Sequence, residues 1–131
     1  MSQDSVILVE QLMVSGDLVP VVSSEDFVKR ALEVMCEKKL GFCCVVNTEG
    51  ILIGVFTDGD LRRLVLKHQK PFTAILADDI SLYTSKNPVT IEPGSSAFES
   101  VSVMRENNIW DMPVVEESGK LLGVLHLHSL I

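Results

Sequence analysis

This 131-residue chain is short of positive charge, of thiols and of long apolar runs, and each shortage removes a class of function. Eleven lysines and arginines stand against eighteen aspartates and glutamates, a formal net charge of −7. Nucleic acid and anionic lipid both require clustered cations to displace counterions, so neither is expected as a partner. Cys36, Cys43 and Cys44 are odd in number and form no C-x-x-C pair, which fits small core residues of a reducing cytosol better than a disulfide framework. No run approaches the ~18 apolar residues that a membrane span needs, and a soluble globular domain follows. Val6-Ile7-Leu8-Val9 is too short for the apolar core of a signal peptide and follows Asp4 instead of a basic stretch, so export is not expected. A Gly-rich phosphate loop, a catalytic triad order and an H-E-x-x-H helix are missing too.

What is present is a repeat. Shifting the chain by 69 residues lays Met35 on Met104, Glu37 on Glu106, Val45-Val46 on Val114-Val115 and Gly50 on Gly119. The same shift pairs Leu52 with Leu121, Gly54-Val55 with Gly123-Val124 and Leu61 with Leu130; upstream it slips by one, and Pro20 meets Pro88. A constant offset through two glycine pairs marks a tandem duplication. Residues 1–70 hold a lead-in helix over Val6 to Met13 and the first repeat; residues 71–131 hold a connector and the second.

In the first repeat, Leu18 to Val22 reads as an edge strand because Pro20 lies inside it. Ser23 to Asp26 provides a helix cap, and Val28, Ala31, Leu32, Met35 and Cys36 form one helical stripe that Gly41 terminates. Phe42 to Val46 is a strand buried on both faces, and Ile51 to Phe56 returns beside it after a turn at Asn47 to Gly50. A second helix runs from Thr57 to about Lys70. The second repeat follows the same plan: a strand at Pro88 to Ile91, a Ser96-x-x-Glu99 capping box, a helix ended by Asn107-Asn108, then strands at Met112 to Val115 and Leu121 to Leu125. One helical turn is expected in the connector near Ala77 to Ile80. Each unit is β-α-β-β-α, a mixed α+β or α/β arrangement, and two such units related by a pseudo-two-fold axis would enclose a ligand cleft.

Thr57-x-x-Asp60 has the chemistry of a capping box, a hydroxyl and a carboxylate satisfying each other's backbone N–H. It also offers a carboxylate suited to a ribose diol. Asp58 and Asp60 repel a phosphate from this first turn, while Arg62 or Arg63 can neutralise one further along. At the corresponding second turn His126 replaces Thr57 and Ser129 replaces Asp60. His126 and His128 would share a face if the strand continued, a weak hint of metal, but no carboxylate or thiol stands at ligand spacing in sequence; hydrogen bonding or an inter-subunit role is the better reading. Trp110 either lines the cleft or packs. Asp78-Asp79 reads as a solvated turn, and the buried run around Cys43 and Cys44, with no His near in sequence, argues against a nucleophile.

The duplicated pattern, with Gly54 to Leu61 as a G-h-h-T-x-x-D-h turn and Met112 to Val115 as an h-P-V-V strand, resembles a cystathionine-β-synthase (CBS) domain pair. Gly54 to Arg63, Gly123 to His128 and Met13-x-x-Gly16-Asp17-x-x-Pro20 are similar to the CBS pair at the C-terminus of arabinose 5-phosphate isomerases, although Ser129 stands where that branch carries Asp. The resemblance covers nearly the whole chain. It implies a regulatory part whose chemistry belongs to a separate sugar isomerase domain, with no catalytic residues, required cofactor or metal here. The parent activity interconverts ribulose and arabinose 5-phosphates and feeds the Kdo sugar of lipopolysaccharide. The implied ligands are AMP or ATP, or CMP-Kdo; the implied assembly is a homodimer. The implied contacts are Thr57, Asp60, Arg62 and Arg63 from the first repeat, Pro88 and Val89 after the connector, and Trp110, Met112, His126, His128 and Ser129 from the second. An oligomerisation scaffold that binds nothing is the alternative.

Overall fold

The computed structural model describes residues 6–130, except the side chains of His128 and Ser129. The chain divides into two units, Pro20–Pro88 and a second made of Val89–Ile131 together with Met1–Val19. The repeat boundary and the unit boundary therefore differ. The connector stays with the first repeat, and the lead-in segment packs with the second.

In the Pro20–Pro88 unit, β1 (Val21–Ser23) runs parallel to β2 (Phe42–Val46), with α2 (Val28–Lys38) as the crossover; α1 (Val9–Leu12) belongs to the other unit. β3 (Leu52–Thr57) returns antiparallel to β2 and leads directly into α3 (Asp58–Lys67). The connector then makes α4 (Phe72–Leu76), a 3-10 turn at Ile80–Leu82, and β4 (Ser85–Lys86), which closes the sheet in the order β1-β2-β3-β4. The core gathers Val28, Ala31 and Met35 of α2, Cys43 and Val45 of β2, Phe56 of β3, Leu64 of α3, and Ile75 and Ile80 of the connector.

The second unit repeats this with α5 (Ala97–Asn107) and the antiparallel pair β5 (Asp111–Val115) and β6 (Leu121–His126). Its β1 counterpart is a single parallel bridge from Ile91 to Val114, and its β4 counterpart is the bridge from Val14 to Val124. The register shifts between Val45 and Val46 in one hairpin and between Val114 and Val115 in the other, so the duplication extends to the same irregularity. α1 (Val9–Leu12) lies in this unit, where the Val9 N–H donates to the Ser95 carbonyl at 2.8 Å. Val9, Met104, Met112, Val114 and Leu125 are its buried core.

Several boundaries depart from the sequence reading. Ser23 to Asp26 does not cap α2; Asp26 instead accepts from the Ser23 N–H at 2.9 Å within a turn, and Val28 donates its first helical N–H to the Asp78 carbonyl. α2 ends at Lys39, which takes the left-handed conformation at φ 59°, before Gly41 is reached. Asn108 ends α5 in the same way at φ 53°, as expected. The lead-in helix is one turn long, α3 stops at Lys67, and the connector helix lies before Ala77. Pro88 to Ile91 forms no named strand beyond its one bridge.

Gly54 and Gly123 have a common cause. A Cβ on Gly54 would stand 2.5 Å from the Ser85 carbonyl oxygen, and one on Gly123 would stand 2.4 Å from that of Val14. In each unit the third chain segment crosses the hairpin where only glycine leaves room for backbone.

Candidate functional site

β3 delivers Thr57 to the start of α3, and the capping box forms in full. The Thr57 hydroxyl accepts from the Asp60 N–H at 3.0 Å, while Asp60 Oδ2 accepts from the Thr57 N–H at 3.0 Å. Two further donors reach the same carboxylate. Arg63 donates to Oδ1 at 2.8 Å, and the Ser85 hydroxyl lies 3.2 Å from both oxygens. Asp60 is mostly buried, with 14% of its side chain accessible, whereas Arg63 is 69% accessible. A carboxylate held by a backbone N–H, a hydroxyl and a guanidinium is fixed in position.

The structure thus brings Thr57, Asp60 and Arg63 together and adds Ser85, which sequence reasoning missed. A two-residue strand inside a connector has no periodicity to reveal it. Arg62 is exposed. Pro88 is half-buried at the end of its unit, and Val89 packs against the second core. Met112 is wholly buried in that core, so its side chain is not offered to a ligand. Trp110 is the reverse, 66% exposed.

At the second turn β6 ends at His126, and a 3-10 turn occupies Leu127–Leu130. His128 therefore lies in the turn, and the condition for a face shared with His126, a strand continuing that far, is not met. The partner of His126 comes from the neighbouring strand. Its Nδ1 contacts the Asp111 carboxylate, the residue directly opposite in the β5–β6 register. The same register position in the first repeat holds Phe42 opposite Thr57. Applying the repeat to the hairpin register would have found Asp111; spacing along the chain alone did not. No group of three or more metal-ligating side chains exists among the described residues.

Another polar cluster ties the connector to the end of α3. Asp78 accepts from Lys70 at 2.5 Å and from the Tyr83 hydroxyl, and the His68 ring meets Tyr83 edge-on at 5.7 Å. The Lys70 hydrogen bond, then that of Tyr83, holds Asp78 below the usual carboxylate range. The bond to Asp78 raises both Lys70 and Tyr83. In the core, burial pushes the Cys43 thiol up to about 12, consistent with an inert packing residue.

The model of the CBS domain family matches residues 9–67 and 77–131. This chain belongs to the CBS domain family. Over 126 residues it is 31% identical to the arabinose 5-phosphate isomerase KdsD of Francisella tularensis, covering 96% of this chain and 37% of that one. It is 32% identical over 121 residues to the arabinose 5-phosphate isomerase GutQ of Salmonella typhi, covering 92% and 36%. The chain thus spans little more than a third of the length of these relatives. Among solved structures, CBSX2 in complex with AMP superposes with a TM-score of 0.82 at 25% identity, covering 95% of this chain and 92% of that one. The CBS pair has no helix, among the described residues, long and apolar enough to cross a membrane.

Proposed function

We propose that this CBS pair is a cytosolic ligand sensor with no catalysis of its own, binding a nucleotide or nucleotide sugar of the AMP, ATP or CMP-Kdo class. Occupancy would bias a sugar isomerase domain of an arabinose 5-phosphate isomerase, and through it the supply of Kdo for lipopolysaccharide. The observation that carries the reading is Asp60, a carboxylate fixed in position at a helix start. A ribose diol presents two O–H donors, and a preset carboxylate accepts them without reorganising. With Asp58 and Asp60 in the first turn, the phosphate belongs further along, beside Arg62 and Arg63. The resemblance to an AMP-bound CBS protein supports an adenine nucleotide, and the isomerase relatives support the coupling. Such coupling amounts to about 1–3 kcal/mol of differential affinity between two arrangements.

The second turn is expected to bind no nucleoside in the same way, because His126 occupies the position of Thr57 and faces Asp111. Calorimetry of this chain with AMP, ATP, CMP and CMP-Kdo is the test. One saturable nucleoside per chain, lost in Asp60→Ala, is the expected result. Two equivalent sites would refute the inequality of the turns. One observation favours a second reading: Asp60 is already satisfied by Thr57, Arg63 and Ser85, as a purely structural cap would be. Silence across the whole panel would favour that reading, a scaffold holding isomerase subunits together. Isomerase activity in the isolated chain would overturn both.

A further inference from the structure

Asp60 accepts more hydrogen bonds than a helix cap requires, and one of its donors is held differently from the rest. The Thr57 N–H is backbone at the end of β3, and Ser85 is carried on β4, where it pairs with Val55. Both donors are held by the sheet. The third, Arg63, reaches back one turn along α3 to Asp60 Oδ1 at 2.8 Å, from a side chain that is 69% accessible. Exposed ion pairs of this kind are weak and screened by salt, so this donor can leave while the sheet and the cap stay formed.

The returning arginine has a seat. A Cβ on Gly59 would stand 3.3 Å from both Nη1 and Nη2 of Arg63, so the guanidinium lies against the bare face of that glycine. Gly59 is inside α3, where glycine is a poorer helix former than alanine, and its φ is not positive, so the backbone conformation does not call for it. What its missing side chain leaves is room for Arg63. At the 69-residue offset His128 stands for Gly59 and Ser129 for Asp60, so the second repeat keeps neither the seat nor the carboxylate.

We propose that Arg63 determines specificity at Asp60 by an exchange: a ribose diol displaces the guanidinium from Oδ1, and the released guanidinium takes a phosphate on the same molecule. The proposal rests on the reading of Asp60 as a ribose site and adds what that site selects, a nucleotide over its nucleoside. A carboxylate has about four acceptor positions, and the present donors leave neither oxygen of Asp60 without a partner. A diol therefore cannot simply join the set; it replaces a member. A nucleoside breaks the Arg63 pair and gives the guanidinium nothing in return, whereas a nucleotide supplies an anion that matches its planar fork. Discrimination comes from both ends of the exchange, attraction to the phosphate and retention by Asp60. The saturation of Asp60 is then the resting state of the site.

The test is calorimetry of the parent, Arg63→Ala and Gly59→Ala with two matched pairs, adenosine with AMP and cytidine with CMP. In Arg63→Ala the nucleoside that binds should bind roughly two- to five-fold tighter, because its competitor is gone. Its monophosphate should bind roughly tenfold weaker, because its partner is gone. Gly59→Ala crowds the guanidinium in its seat while keeping both its charge and Asp60, and should tighten nucleoside and monophosphate together. Added salt should move the parent's two affinities in opposite directions, up for the nucleoside and down for the monophosphate. A monophosphate that binds, with a nucleoside no tighter on Arg63→Ala than on the parent, would overturn the exchange and leave Asp60 as a ribose site. So would a Gly59→Ala chain that tightens neither. Monophosphate binding that survives Asp60→Ala, or silence from all four compounds on every variant, would refute the ribose reading itself and the exchange with it.

Discussion

The Ser85 hydroxyl lies 3.2 Å from both carboxylate oxygens of Asp60, a residue 25 positions earlier in the chain. The capping box at the start of α3 is thereby joined to the last strand of its own sheet, and local and long-range structure share one side chain. Removing Ser85 in Ser85→Ala should cost about 0.5–1.5 kcal/mol, and Thr57→Ala about 1 kcal/mol. In an Asp60→Ala background the Ser85 effect should vanish, a non-additivity readable in denaturant melts of the four proteins of a double-mutant cycle.

Gly54→Ala and Gly123→Ala should each destabilise by about 1–3 kcal/mol, since the new methyl meets a backbone oxygen that no rotamer change can move. Gly94 has open space around the corresponding position, and Gly94→Ala should remain within about 0.5 kcal/mol of the parent. Thermal unfolding of the three variants separates close approach from mere loss of glycine.

The Lys70–Asp78–Tyr83 cluster predicts stability losses at both ends of the pH scale. Asp78 is held low in the folded chain, so its contribution is present above the ordinary carboxylate pKa of ~4 and is lost as the pH falls through its depressed value. Lys70 and Tyr83 are both raised, so theirs is complete below ~10 and disappears as the pH rises through the raised values. Melting temperatures of the parent and Asp78→Asn should differ at neutral pH and converge at both extremes.

Thiol reactivity should divide the cysteines. Cys36 is exposed, while Cys43 and Cys44 are fully buried and the Cys43 thiol is pushed up to about 12. A neutral maleimide should therefore label one thiol rapidly in the native chain and three after denaturation. Rapid labelling of a second would show that the strand run Phe42–Val46 opens.

Much of this architecture was legible because hydrophobic pattern and repeat offset agree. The buried run of β2 and the Thr57–Asp60 box are each encoded within a few residues and formed as read, and the stripe of α2 formed at Val28, Ala31 and Met35, whereas Cys36, read as a core residue, is exposed. What escaped was set by distant partners. Ser85 and Val14 become strand-like only where a glycine admits them to a hairpin, and nothing in their own neighbours signals it. The end of α2 at Lys39 was likewise obscured, since a left-handed lysine carries no glycine-like mark. Asp111 was within reach, because the register that sets Phe42 opposite Thr57 sets Asp111 opposite His126.

The exchange of edge segments, with Ser85 following the first hairpin and Val14 preceding the whole first repeat, limits how this gene can be cut. A fragment spanning Pro20–Pro88 keeps every strand of its sheet in one continuous piece. One ending where the first repeat ends, near Lys67, would lack the strand that covers Gly54. The other half is made of two separate stretches of chain, and it becomes a single polypeptide only when the segment around Val14 is joined to the stretch that begins at Val89. Duplication produced two copies, but neither copy of the repeat, as inherited, is a detachable part.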